Sequence, residues 1–267
     1  MGYGSKCFVG VLGGVLVTAA AAGAQPQDAK QIVQQVVAAE LAANRDDHSH
    51  WRYIETEIDG SKFVVVETEN GALKKHLEEG GKPASQATLR EDDEYIQKFI
   101  HDPSLQAKQR QNGAKDDESF TELINLFPTA FDWKIVSDGG DTVTLAFHPD
   151  PNFHPPDMEA RVMGRMTGTL SVDKTGHRIR TFQGALGEDV TIGFGLLARI
   201  KAGSNFRIEH RPVGSGVWQV MQTHVHISGH ALFFKTIGQQ EDEVKYDFTE
   251  VPPGTTLEQA VGMLKVR

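Results

Sequence analysis

From Phe131 onward the chain repeats one pattern, a short turn set between two runs of alternating apolar and polar residues, and this restricts its fold more than any other feature. Trp133 to Ser137 and Thr142 to Phe147 flank Asp138-Gly-Gly-Asp141. Thr167 to Val172 and Arg178 to Gly184 flank Asp173-Lys-Thr-Gly176, and Phe206 to Val213 and Val217 to Ile227 flank Gly214-Ser-Gly216. Ala231 to Thr236 and Glu243 to Thr249 read as the last two strands. Side chains alternate across a strand, so each run has one apolar face to bury, and turn glycines supply the positive φ of a tight reversal. Strands joined this closely pair antiparallel, because a parallel pair needs a crossover of a dozen or more residues. The expected fold is mainly β within the α+β class: a curved antiparallel sheet, an unclosed β-barrel, with covering helices.

The N-terminal half supplies those helices. Between Asp28 and about Asn44, Ile32, Val33, Val36, Val37 and Leu41 fall on one helical stripe. Trp51 to Ile58, Lys62 to Thr68 and the segment after Asn70-Gly71 read as consecutive hairpins turning at Asp59-Gly60 and Asn70-Gly71. A helical insertion is expected near 85–128, with Tyr95, Ile96, Phe99 and Ile100 at helical spacing up to Pro103. Ser119-Phe-Thr-Glu122 has the form of a capping box and predicts a separate helix that Pro128 stops. Another short helix is expected from Thr256, carrying Leu257, Ala260, Val261 and Leu264. No repeat or Pro/Gly-rich linker divides the chain, so residues 25–267 read as a single domain.

Residues 1–24 read as a secretory signal peptide: Lys6, an uncharged run from Phe8 to Gly23, then Ala22-Gly-Ala24 as the small-x-small cleavage pattern. Cleavage is expected after Ala24, which places the protein in the periplasm or outside the cell. Cys7, the only cysteine, leaves with the leader, so roughly 240 remaining residues must be stable from their core alone. The formal charge of -9 becomes one unit more negative when Lys6 is lost, which argues against nucleic acid as a partner. No later apolar run reaches the length of a membrane span, so no stable span is expected after cleavage.

His224 and His226 lie two apart in a strand, share a face, and could offer two imidazoles to one metal ion. Zinc needs a third protein ligand, which nothing local supplies, and the strand reads more simply with Met221, Val225 and Ile227 buried and the histidines on the wet face. His148 and His154 flank Asp150 in the Pro-rich run His148 to Pro156, which reads as a rigid surface loop. Gly193-Phe-Gly195-Leu-Leu-Ala198 matches a dinucleotide fingerprint as a string, but it lies in an antiparallel region without the βαβ unit that motif requires. No Gly-x-Ser-x-Gly elbow is present, and Gly214-Ser-Gly216 is a hairpin turn. Among the apolar residues, Val64, Val66, Leu145, Phe147, Phe182, Phe194, Leu197 and Phe233 sit in or beside strands. A curved sheet only partly filled by helices leaves an apolar cavity that some of these would line.

The order of signal peptide, amphipathic helix, hairpins, helical insertion and long antiparallel meander resembles the periplasmic lipoprotein-sorting carriers of the LolA/LolB type. Asn44 to Trp51, Gly80-Gly-Lys-Pro83, Pro149 to Pro156, Met166 to Asp173 and Leu232-Phe-Phe-Lys235 are similar to phrases in a group of exported bacterial proteins. The resemblance implies a half-barrel with helices over its apolar mouth, and a non-enzymatic periplasmic binding or carrier protein for a lipid, acyl chain or lipoprotein. It implies no cofactor. The alternatives are a metal-dependent hydrolase using His224 and His226, and an envelope sensor or protein-interaction module.

Overall fold

The computed structural model describes residues 28–192, 198–214, 216–231 and 235–265. The expected leader, and with it Cys7, lies outside them. The chain opens with helix α1 (Ala29–Asp46), followed by strands β1 (His50–Thr56), β2 (Lys62–Thr68), β3 (Gly71–Glu79) and the two-residue β4 (Lys82–Pro83). Helices α2 (Gln86–His101) and α3 (Pro103–Ala130) lead into β5 (Phe131–Gly139) and β6 (Thr142–Pro149). Helix α4 (Met158–Met163) precedes β7 (Met166–Asp173), β8 (Ile179–Leu186), β9 (Val190–Ile192) and β10 (Ala198–Ile200). The last elements are β11 (Asn205–Gly214), β12 (Val217–Ala231), β13 (Lys235–Val251) and α5 (Leu257–Met263).

All strands belong to one curved, unclosed antiparallel sheet in the order β4-β3-β2-β1-β13-β12-β11-β8-β7-β6-β5, with β10 pairing to β9 and β12. The mainly antiparallel α+β architecture expected from the turn pattern is therefore present. The final strand β13 runs beside β1 and joins the N-terminal hairpins to the C-terminal meander.

Register fixes which residues share a face, because directly paired residues project to the same side of an antiparallel sheet. Ile54 pairs with Val64 and Tyr246, and this row carries the face on which α2 and α5 pack. Ile96, Phe99 and Ile100 of α2, Leu257 and Ala260 of α5 and the capping Leu264 meet Ile54, Val64, Val66 and Leu73 there. Two residues along β13 from Tyr246, Val244 keeps to that face and pairs with Gln222; the alternation on β12 then brings His224, Arg207 and Gln183 to it. Phe182 thus points to the opposite face, together with its partners Leu170 and, through it, Leu145. On that second face lie α1, through Ile32, Val33, Val36 and Val37, and the end of α3, through Ile124, Phe127 and Ala130. The two helical layers cover opposite faces at opposite ends of the sheet. A third cluster, Trp51, Tyr53, Phe63 and Val65 with Phe248, lies on the α1 face of β1 and β2.

The insertion is two helices. Asp102 caps α3 by accepting from the amides of Ser104 and Leu105, and Pro103 takes the first turn, where its missing N–H breaks no helical bond. The helix then runs unbroken for 28 residues, about 42 Å at 1.5 Å per residue, from β3 to β5. The capping-box reading at Ser119 is thereby corrected: Ser119 is interior to α3, and Pro128 sits in the last turn of this one helix, which ends at Ala130. The separate strands expected at 231–236 and 243–249 are likewise corrected, since β13 is one strand of 17 residues. Its polar stretch Gln239 to Asp242 reads as loop in isolation and is held by pairing with Val225 to Ile227 and His224 of β12.

Candidate functional site

The main helix–strand contacts gather on β2, β3 and β5, which leaves the central strands β11, β12 and β13 to present both faces. One face is polar. Thr169, Gln183, Arg207, His224 and Asp242 form a row in register across β7, β8, β11, β12 and β13. Gln183 Nε2 donates to Thr169 Oγ1 at 3.1 Å, and Arg207 donates to Gln183 Oε1 and, through Nε at 2.9 Å, to Glu209 Oε1. His224 bonds Asp242 through Nδ1 and Asn205 Oδ1 through Nε2 at 3.1 Å. A shallow hollow of about 390 Å³ runs along this row between Thr167, Thr169, Gln183, Asn205, Arg207 and His224. The charges here are paired with one another, so the row braces the sheet.

His224 and His226 share this face, as their spacing requires. Both ring nitrogens of His224 are already engaged, and among the described residues no three His, Cys, Asp or Glu side chains gather to hold a metal ion.

The other face of the same strands carries an apolar patch on β11 and β12, bordered by Thr223 of β12 and by Glu241 and Glu243 of β13. Phe206 and Ile208 of β11 and Val225 and Ile227 of β12 project to the α1 side, and all four are only half-buried. Phe206 lies 4.7 Å from Phe182, whose ring is 5.0 Å from Phe127 and 5.5 Å from Phe147, so this row continues the α1 core outward. Ile208, Val225 and Ile227 belong to none of the three core clusters of the described residues.

Two residues beyond Ile208, His210 faces the same side. It lines a hollow of about 200 Å³ together with Glu40, Asp47, Arg178, Trp218 and Val220. Glu40, only 7% exposed, is fully engaged: Arg178 donates from Nε at 3.1 Å and from Nη2 at 3.0 Å, and the Ile179 amide donates at 2.7 Å. Burial lowers the pKa of His210 from its ordinary value, with Arg178 and Arg211 adding to the effect and Glu40 opposing it. His210 Nδ1 is itself buried and has no hydrogen-bond partner among the described residues.

The other buried titratable groups on the α1 face are braces of β1 to β3. Burial raises the pKa of Glu67, whose carboxylate accepts from the Trp51 amide at 3.0 Å. Burial, and then the charges of Glu67, Glu55 and Glu243, pushes the Tyr53 hydroxyl well above its usual range, so it stays protonated. Glu55 is held between Lys74 and Lys245.

The residues expected to line a cavity separate into two groups. Val64 and Val66 are fully buried under α2 and α5, and Leu145 and Phe147 are fully buried under α1 and α3, on the opposite face. Phe182 is half-buried and borders the open apolar row. Phe194, Leu197 and Phe233 lie outside the described residues, as do Gly193 and Gly195 of the fingerprint string. In the Pro-rich loop, Asp150 accepts from the Asn152 amide and His154 bonds the Asn152 carbonyl, so these residues shape the turn. That loop, with Arg161, Arg165 and Glu188, borders a polar hollow of about 480 Å³. Phe206, Ile208 and His210 escaped the sequence reading although their alternation with Arg207, Glu209 and Arg211 marks a two-faced strand. Glu40 and Arg178 left no signal, because 138 residues separate them.

Comparison of the chain with protein-family models, with curated proteins and with solved structures found no match.

Proposed function

We propose that this is a non-enzymatic exported binding or carrier protein that holds an acyl chain or a similar apolar group against the α1 face of β11 and β12. The observation that carries this reading is the apolar row Phe206, Ile208, Val225 and Ile227, which extends the α1 core onto strands that α1 and α3 do not bury. An exposed apolar patch continuous with a core is a usual physical basis for taking up a hydrocarbon chain. The leader expected from residues 1–24 and the resemblance of the sequence to lipoprotein-sorting carriers are the grounds for reading the protein as exported and as a carrier, the latter by analogy of fold alone.

Titration with a pyrene-labelled acylglycerol tests the proposal by fluorescence. Saturable binding is expected, weakened at least ~10-fold in Val225→Asp, where a charge would have to be desolvated under the chain. Val136→Asp, at a 54% exposed position on β5, should bind as the unmodified protein does. Absence of saturable binding, or equal binding by Val225→Asp, overturns the reading.

A further inference from the structure

We infer that the protein associates with a second copy of itself edge to edge, β5 pairing antiparallel with β5 about a two-fold axis at Trp133. β5 is one end of the sheet path, and among the described residues only β6 pairs with it. The opposite end is β4, a strand of two residues that offers a partner little to hold. An unpaired edge strand presents a row of backbone donors and acceptors that another strand can meet.

The hydrogen-bond phase defines which residues aim outward. The Asp150 amide donates to the Ala130 carbonyl at 3.1 Å, which makes Phe131 and Pro149 a non-hydrogen-bonded pair, the place where a proline without an N–H fits. By alternation Trp133 opposite Phe147 and Ile135 opposite Leu145 are of the same kind, so the amides and carbonyls of Phe131, Trp133 and Ile135 point away from β6. The bulge at Val136 ends this stretch.

Charge then selects the occupant and the register. Asp132 and Lys134 alternate with those residues on the face opposite α1; both are exposed, and neither side chain has a partner among the described residues. With the two-fold at Trp133, Asp132 of each copy stands opposite Lys134 of the other in a non-hydrogen-bonded pair, where side chains lie closest. On the α1 face Trp133 meets Trp133 and Phe131 meets Ile135, each pair exchanging backbone hydrogen bonds. A slide of two residues keeps those bonds but sets Asp132 against Asp132, or Lys134 against Lys134. A slide of one residue loses the bonds, because outward groups then face inward ones. The strand is thus complementary to itself when centred on Trp133. Residues 131–135 of each copy make a small interface of the transient class, below about 1,200 Å².

Sedimentation velocity of the protein from about 10 to about 500 µM tests this, the range in which an interface of that class associates. A reversible monomer–dimer equilibrium is expected. Asp132→Lys and Lys134→Asp should each weaken it at least ~10-fold, since both cross-strand pairs turn from attraction to repulsion. An equimolar mixture of the two variants should regain the dimer, because each variant's edge then meets the opposite charge at both positions. Monomer at every concentration, a dimer that neither substitution weakens, or a mixture that stays monomeric overturns the inference.

Discussion

Arg178, immediately before β8, clasps Glu40 on α1 with two hydrogen bonds, 3.1 Å from Nε and 3.0 Å from Nη2, one to each carboxylate oxygen. The Ile179 amide donates to the same carboxylate, so a single acidic side chain joins the first helix to the edge of the α1 core. Removing it leaves a guanidinium and an amide buried without partners, which is worth more than the pair itself contributes. Glu40→Ala is expected to lower stability by about 3 kcal/mol, read from urea denaturation. Arg178→Met with Glu40→Leu should recover much of the loss, and equal loss in the double variant would show that the pair is not the cause.

His210 should make stability depend on pH in a definite direction. Its folded pKa is depressed by burial, so below its ordinary value near 6.5 the unfolded chain takes up a proton that the folded protein does not. The stabilisation from keeping His210 neutral is present above pH 6.5 and is lost as pH falls through the folded pKa. Denaturation at pH 7.5 and pH 5.5 should therefore show a smaller difference in His210→Gln than in the unmodified protein. An identical difference in the two proteins contradicts the burial of this imidazole.

Gly168 marks a place where two strands and a ring meet. A Cβ there would lie 2.0 Å from the Gln183 carbonyl oxygen and 2.7 Å from both the Gly184 Cα and the Phe147 ring. Backbone cannot give way as a flexible side chain can, so Gly168→Ala is expected to cost about 3 kcal/mol. Gly187→Ala meets nothing within 4 Å and should change stability by less than about 0.5 kcal/mol. Thermal denaturation of the two variants side by side checks the contrast.

Thr256 and Gln259 close α5 with a reciprocal box: Gln259 donates its amide to Thr256 Oγ1, and the Thr256 amide donates to Gln259 Oε1 at 2.8 Å. Thr256→Ala should destabilise the protein by about 1 kcal/mol, with amide exchange in α5 rising before that of α1. Uniform exchange across both helices would instead indicate a global effect.

The strands were legible because their alternation and their turns are local. Asp59-Gly60, Gly140-Asp141 and Lys174 to Gly176 all stand between paired strands. Local signals misled where tertiary pairing overrides them: Ser119 has the residues of a cap but lies inside a longer helix, and Gln239 to Asp242 is polar yet paired along its length. The candidate site was only half legible. Phe182 was found from its place in a strand, but Val64 and Leu145 fall on opposite faces through a register that runs across eight strands, which no local pattern encodes. His224 and His226 stood out by spacing, yet Asp242 and Asn205 occupy the nitrogens that a metal would need.

The most direct test of the account is native mass spectrometry of the protein purified without detergent from its own host, followed by lipid analysis of the released ligand. A bound acyl-chain molecule is expected, retained by the unmodified protein and depleted in Val225→Asp. A spectrum of the bare polypeptide mass alone, from protein that also fails to bind the pyrene-labelled acylglycerol, would contradict it.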